Sequence, residues 1–320
     1  MTTEIGRQVD KAISLLEAGE LVSIPTETVY GLAANALNST AVYSIFKVKE
    51  RPSFDPLIVH IPKVDVLDHY AHSIPRIAYD LAMTFWPGPL TLILPRKSNI
   101  PDLVSSGLDT VGLRQPAHPL TLELLNQLDF PLAAPSANPF GYISPTTAQH
   151  VYDQLQGKIP YILDGGPCRV GVESTIVGFE GDEIFIYRLG GLTLENIRKV
   201  APYCQLKLNS SSNPIAPGML KSHYAPKHPF YLGEISALIT QFAGKRIGVL
   251  SLEKNYSADE NVEVNEILSA HGNLDAAAVK LFSAMRVLDA SSVDVILGEF
   301  VPDVGIGRAI NDRLKRAATW

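Results

Sequence analysis

The sequence predicts an α/β protein of two domains. Apolar runs of strand length alternate with segments of helical period along nearly all of its 320 residues. A stretch without period, rich in Ser, Pro, Asn and Lys, breaks the alternation at about residues 209–229. The chain is also longer than one domain usually needs. The boundaries are drawn at 1–205 for a first domain, 206–229 for a linker and 230–320 for a small second α/β domain.

The elements follow in order. Val9, Ala12, Ile13 and Leu16 recur at helical spacing, and Gly19 ends that helix. Residues 21–24 read as a strand running into Pro25. Residues 40–49 read as a helix stopped at Pro52, because a proline pushes the residue before it out of helical geometry. Residues 57–61 form a strand, 74–85 a helix and 90–94 a strand after the turn Trp86-Pro87-Gly88-Pro89. A strand at 110–114, a helix at 120–128 and a strand at 131–134 lead into Pro135-Ser136-Ala137-Asn138. A helix at 146–155, strands at 161–163, 175–179 and 184–188 and a helix at 194–200 complete the first domain. Beyond the linker come strand 246–252, helix 274–288, strand 293–297 and helix 309–317.

Composition excludes several classes. No apolar run reaches the roughly 18 residues of a membrane span, and the first residues lack the basic-then-apolar order of a signal peptide. Cys168 and Cys204 are too few for a disulfide framework and read as buried thiols in a reducing cytoplasm. Through Gln205 there are 15 Lys and Arg against 21 Asp and Glu, so a general basic surface for nucleic acid is absent. Lys47, Lys49 and Arg51 form a local cationic cluster against that background.

Polar residues set among apolar ones mark a site, because buried polar groups cost free energy unless something satisfies them. The stretch Pro25 to Leu32 (PTETVYGL) holds hydroxyls, a carboxylate and a phenol between apolar neighbours. His60 lies on the strand 57–61 and shares a face with Ile58. Thr110, Gly112 and Arg114 share one face of their strand, with room at Gly112 for an anion between hydroxyl and guanidinium. The alternative is an Arg114 paired with a structural carboxylate. Alternation aims Arg188 out of a strand end, and Gly190-Gly191 would let a ligand approach. Ser136 and Asn138 follow a strand, where open α/β sheets bind ligands. There is no Walker A loop, no GxGxxG, no HExxH and no CxxC. Cations and hydroxyls without an obvious nucleophile suit chemistry that positions phosphates and stabilises their charge.

The motifs resemble one family in order along nearly the whole chain. PTETVYGL, KERP (49–52), PLIVHI (56–61), WPGPLT (86–91), LDTVGLR (108–114), PAHP (116–119), AAPSAN (133–138), SPT (144–146), DGG (164–166) and GVESTI (171–176) are similar to the YrdC-like threonylcarbamoyl-AMP synthases. APGM (216–219), HYAP (223–226) and GIGRAI (305–310) resemble the linker and C-terminal domain of its longer form.

The resemblance implies a twisted open sheet with a concave site, followed by a small Rossmann-like domain. It implies synthesis of threonylcarbamoyl-adenylate and pyrophosphate from L-threonine, bicarbonate and ATP with Mg²⁺. The product would pass to a tRNA threonylcarbamoyl transferase for modification of adenosine 37, and contact with tRNA is a further expectation. Thr28, His60, Arg114, the backbone of Ala134 and Ser174 would bind threonine, with Arg114 on its carboxylate. Lys49, Arg51, Asp55, Thr110, Ser136, Ser144, Arg188 and Lys221 would bind the nucleotide. His60 would either orient substrate or assist proton removal.

The chain departs from the family pattern at three places. Asp55 stands for the usual Asn, and a carboxylate cannot donate and repels phosphate unless Mg²⁺ intervenes. Lys221 stands where an aromatic is common, and Leu189 where the pattern has Pro. Two rival readings stand beside it: an RNA-binding or regulatory module of the same fold, from another class, and a related carbamoyl-transfer enzyme, whose usual zinc-finger CxxC is missing here.

Overall fold

The computed structural model describes residues 2–208 and 224–318. They form two compact units. The first holds residues 2–140, 145–169 and 173–208, and the second holds 141–144, 170–172 and 224–318. Lys221 and most of the linker lie outside the described residues.

Eleven strands build the sheet of the first unit. They are β1 (Glu4–Gly6), β2 (Val22–Ile24), β3 (Gly31–Asn35), β4 (Ile58–His60), β5 (Leu90–Pro95), β6 (Thr110–Arg114), β7 (Leu132–Ala133), β8 (Tyr161–Leu163), β9 (Thr175–Glu180), β10 (Glu183–Arg188) and β11 (Gln205–Leu206). Their spatial order is β1-β8-β2-β3-β7-β4-β6-β5-β9-β10-β11. Parallel and antiparallel pairs mix: β4 runs parallel to β6, whereas β7 is antiparallel to both β3 and β4.

Most expected elements form within a residue or two of their sequence bounds, but β1, β3 and β11 have no counterpart in the sequence reading. Gly31-Leu32-Ala33-Ala34-Asn35 is poor in β-branched residues, so its propensity for strand is low. Pairing with β2 on one side and β7 on the other overrides that. Small side chains are needed there, since a Cβ on Gly31 would meet that of Ala134 at 3.2 Å. One core gathers Leu16, Val22, Ile24, Ala33, Leu124, Leu132 and Leu163 from the flanking helices Val9–Glu17 and Pro119–Gln127 and from the sheet.

The helix Ser39–Lys49 begins at Asn38, whose side chain accepts from the N–H groups of Thr40 and Ala41. It ends at Glu50 in the left-handed region, φ 55°. That ending puts Lys49 on the last turn.

The second unit holds a parallel sheet in the order β12 (Phe230–Leu232), β15 (Val295–Gly298), β13 (Ile247–Ser251), β14 (Val262–Ile267). The sequence reading had only β13 and β15. The missed β14 reads Val-Glu-Val-Asn-Glu-Ile and is mostly half-buried, so it carries no continuous apolar run. Helix Leu274–Ala290 flanks this sheet. Among the described residues no helix is long and apolar enough to cross a membrane.

Candidate active site

The segment between β2 and β3 is held by its own hydroxyls. Thr26 Oγ1 donates to the carbonyl of Val29 at 2.6 Å and accepts from the N–H groups of Thr28 and Val29, each at 3.2 Å. Its only proton is thereby used, so the Thr28 hydroxyl is the donor in their 2.8 Å contact. Thr28 Oγ1 keeps a lone pair for Arg114 Nη2, at 3.0 Å.

Arg114 ends β6 and is 4% exposed. Its Nη2 also meets Glu27 Oε1 at 2.7 Å, and its Nε donates to the Gly88 carbonyl at 3.3 Å. The two sequence readings of Arg114 therefore combine. One edge is an ion pair with a buried carboxylate, while Nη1 carries no hydrogen bond among the described residues. Gly112 leaves less room than alternation suggested, because a Cβ there would meet Ile93 and Thr91 side chains at 3.3 Å.

His60 pairs in register with Arg114 across β4 and β6. Burial first, and the neighbouring guanidinium second, hold its pKa down at about 3. The imidazole is neutral at physiological pH, and its Nδ1 is buried without a partner. A base so weak is far from the optimum for proton abstraction near pH 7.

This also sets a stability signature. The unfolded chain binds the His60 proton near pH 6.5, whereas the fold resists it until about 3. The stability is therefore fully present above about 6.5 and lost as pH falls toward 3, by up to ~1.4 kcal/mol per pH unit. His60→Gln is expected to flatten the acid limb of the Tm–pH profile across that range. An unaltered limb would mean that His60 is charged in the fold.

Ser174 precedes β9 and is a junction. Arg188 donates to its carbonyl from Nη2 at 2.9 Å and from Nε at 3.1 Å, and to its hydroxyl at 3.1 Å. Thr91 Oγ1 lies 2.7 Å from Ser174 Oγ. Arg188 thus turns inward and is buried. The pairing of β9 with β10 shifts register between Ile186 and Arg188, which resets the alternation that aimed Arg188 outward. Gly190 is required for close packing, because a Cβ there would lie 2.2 Å from the Glu173 carbonyl oxygen.

Arg51 contacts one buried carboxylate, Asp55, which Lys49 and Arg188 also influence electrostatically. Lys49 is 1% exposed and donates to the carbonyls of Ser136 and Asn138. Arg51 donates to the carbonyls of Asp55 at 3.0 Å and Pro56 at 2.8 Å, and its Nη2 stands 2.9 Å from Asp55 Oδ2. That last contact is ionic without hydrogen-bond alignment, since neither carboxylate oxygen of Asp55 has a hydrogen-bond partner among the described residues. Burial raises the Asp55 pKa, against the pull of Arg51, Lys49 and Arg188. Burial, then Arg51, push Lys49 well below the ordinary lysine range. Two guanidiniums and an amine whose charge burial disfavours thus act around one carboxylate, a basic and poorly solvated place that suits a polyanion.

The other expected residues take varied places. The Ala134 N–H is spent on the Ile58 carbonyl at 3.0 Å, so this residue has only its carbonyl to offer. Ser136 is half-buried and bridges to Gly31. Thr110 is half-exposed at the start of β6, paired with Pro95. Ser144 belongs to the second unit, where its carbonyl accepts from Arg286 Nε at 3.4 Å. Sequence reasoning passed over Glu27, Thr91 and the Gly88 carbonyl as working groups. All three lie inside the quoted motifs, so motif membership was the signal.

Comparisons with known proteins show which family has this fold. The model of the Sua5–YciO–YrdC family, described as "Telomere recombination", matches residues 14–190. The chain belongs to this family. A second model, "Threonylcarbamoyl-AMP synthase, C-terminal domain", matches residues 192–319. Among family members, the threonylcarbamoyl-AMP synthase of Bacillus subtilis is 43% identical over 97% of this chain and 93% of its own. That of Pyrococcus abyssi is 42% identical over the same shares. The crystal structure of P. abyssi Sua5 complexed with L-threonine has a TM-score of 0.93 at 39% identity, covering 99% of this chain and 98% of that one.

Proposed function

We propose that the protein is an L-threonylcarbamoyladenylate synthase acting on L-threonine, bicarbonate and ATP. One observation carries the reading: Arg114, with an open edge, lies beside neutral His60, and the neighbouring Ser174–Arg188 junction leads to the cation cluster at Asp55. The threonine carboxylate takes Nη1 of Arg114, and the side chain lies near Thr28. His60, too weak a base at a pKa of about 3, orients substrate as a neutral donor or acceptor.

Attack of the threonine amine on bicarbonate gives a carbamate and releases water. A carbamate oxygen then attacks the α-phosphorus of ATP. The bond from that phosphorus to the bridging oxygen breaks, and pyrophosphate leaves with the electron pair. Lys49, Arg51 and Arg188 offset the charge that develops on the phosphates. Ser136, Thr110, Ser144 and Lys221 complete the nucleotide set in this reading.

Among the described residues no cluster of three His, Cys, Asp or Glu could hold a metal by itself. Asp55, with oxygens free of hydrogen bonds, fits the mode in which Mg²⁺ takes one carboxylate plus phosphates and water. Mg²⁺ brought by ATP would neutralise triphosphate charge there. Asp55→Asn is expected to raise the Mg²⁺ concentration for half-maximal rate by about tenfold. An unchanged requirement would leave the ion wholly on nucleotide and water.

The adenylate would pass in the cytoplasm to a tRNA threonylcarbamoyl transferase. In this reading residues 1–205 form the catalytic domain, 206–229 a lid over the site and 230–320 the small domain. The test incubates the protein with ATP, Mg²⁺, bicarbonate and single amino acids, and measures pyrophosphate. Release that needs both threonine and bicarbonate supports the synthase. RNA affinity without turnover would favour the RNA-binding reading.

A further inference from the structure

We infer that Glu27 is a positioning residue that fixes the direction in which Arg114 presents its free N–H groups, an inference that rests on the threonine reading of this site. A guanidinium offers five N–H donors in one plane. Three of those on Arg114 are committed: Nε to Gly88 O, and the two on Nη2 to Glu27 Oε1 and Thr28 Oγ1. These anchors come from two separate loops, so the plane cannot swing. The pair on Nη1 is left for a carboxylate.

Glu27 is itself immobilised. It is 3% exposed, and its second oxygen accepts the Ala117 N–H at 2.9 Å. Its loop is closed on both sides of it by the Thr26 hydroxyl, which binds Thr28 and Val29. Only a carboxylate can serve both ends. A glutamine of the same shape could accept from Arg114, but its NH₂ would then face the Ala117 N–H, donor against donor. Glu27 also supplies the counter-charge that lets Arg114 stay buried before substrate arrives. Glu27 touches no reacting atom; it acts through Arg114.

The test measures KM for threonine and for ATP in Glu27→Gln and Glu27→Asp. Both are expected to raise the threonine KM roughly tenfold or more, the scale of one charge-assisted hydrogen bond, with the ATP KM within about twofold. The preference for L-threonine over L-threoninamide is expected to shrink, because the carboxylate contact is the one loosened. Glu27→Asp keeps the counter-charge and covers the case in which Glu27→Gln does not fold. A threonine KM that stays put in a folded variant, or threonine and ATP KM values that rise together, would overturn the inference.

Arg114→Lys isolates the underlying reading, since it keeps a charge for Glu27 but loses the fork. If it leaves the threonine KM unchanged, Arg114 does not hold the carboxylate, and the reading itself fails. If it raises that KM while neither Glu27 variant does, the reading stands and the role of Glu27 is refuted.

Discussion

Arg114→Ala is expected to lower kcat/KM for threonine by about 10- to 10⁴-fold, the loss of one or two charge-assisted hydrogen bonds worth ~1.5–3 kcal/mol each. It should also destabilise the fold by roughly 3–5 kcal/mol, because Glu27 is left as a buried charge with no counter-ion. Threonine-dependent pyrophosphate release and a denaturant midpoint measure the two effects separately. The double variant with Glu27→Gln is expected to regain much of the stability and none of the turnover, since the two residues are coupled. If pyrophosphate release kept its threonine dependence in Arg114→Ala, the carboxylate assignment would be wrong.

Lys49→Ala carries the second large effect. Two carbonyls, those of Ser136 and Asn138, lose their common donor. Each buried group left unsatisfied costs ~1–3 kcal/mol. The loop that carries Ser136 loosens at the same time, and Asp55 loses one of its basic neighbours. The KM for ATP is expected to rise by about 10²-fold with the threonine KM little changed. Loss of stability with an unchanged ATP KM would make Lys49 a structural residue only.

The two effects differ in how much of their cause was legible in the sequence. Arg114, Thr28 and His60 were readable from alternation and motif, because strand period 2 tells which side chains share a face. The partner of Arg114 was not, since Glu27 lies 87 positions earlier and only the fold brings them together. Lys49 read as one member of a local cationic cluster. Its burial follows from the helix ending at Glu50 against the loop after β7, a contact 87 residues away in sequence. Arg188 was grouped with Ile184 and Ile186 by alternation, and the register shift between Ile186 and Arg188 breaks that grouping.

By itself the sequence determined the α/β class, most of the helices and central strands, and the polar residues proposed for the site. Those follow from local periodicity and residue chemistry, which act over a few positions. Only the tertiary structure decided the charge states and the pairings. It left His60 neutral, gave Arg114 one occupied and one open edge, and set Arg51 against a buried Asp55. The reason is that burial and long-range register set local dielectric and partner distance, and neither is written in any short stretch of chain.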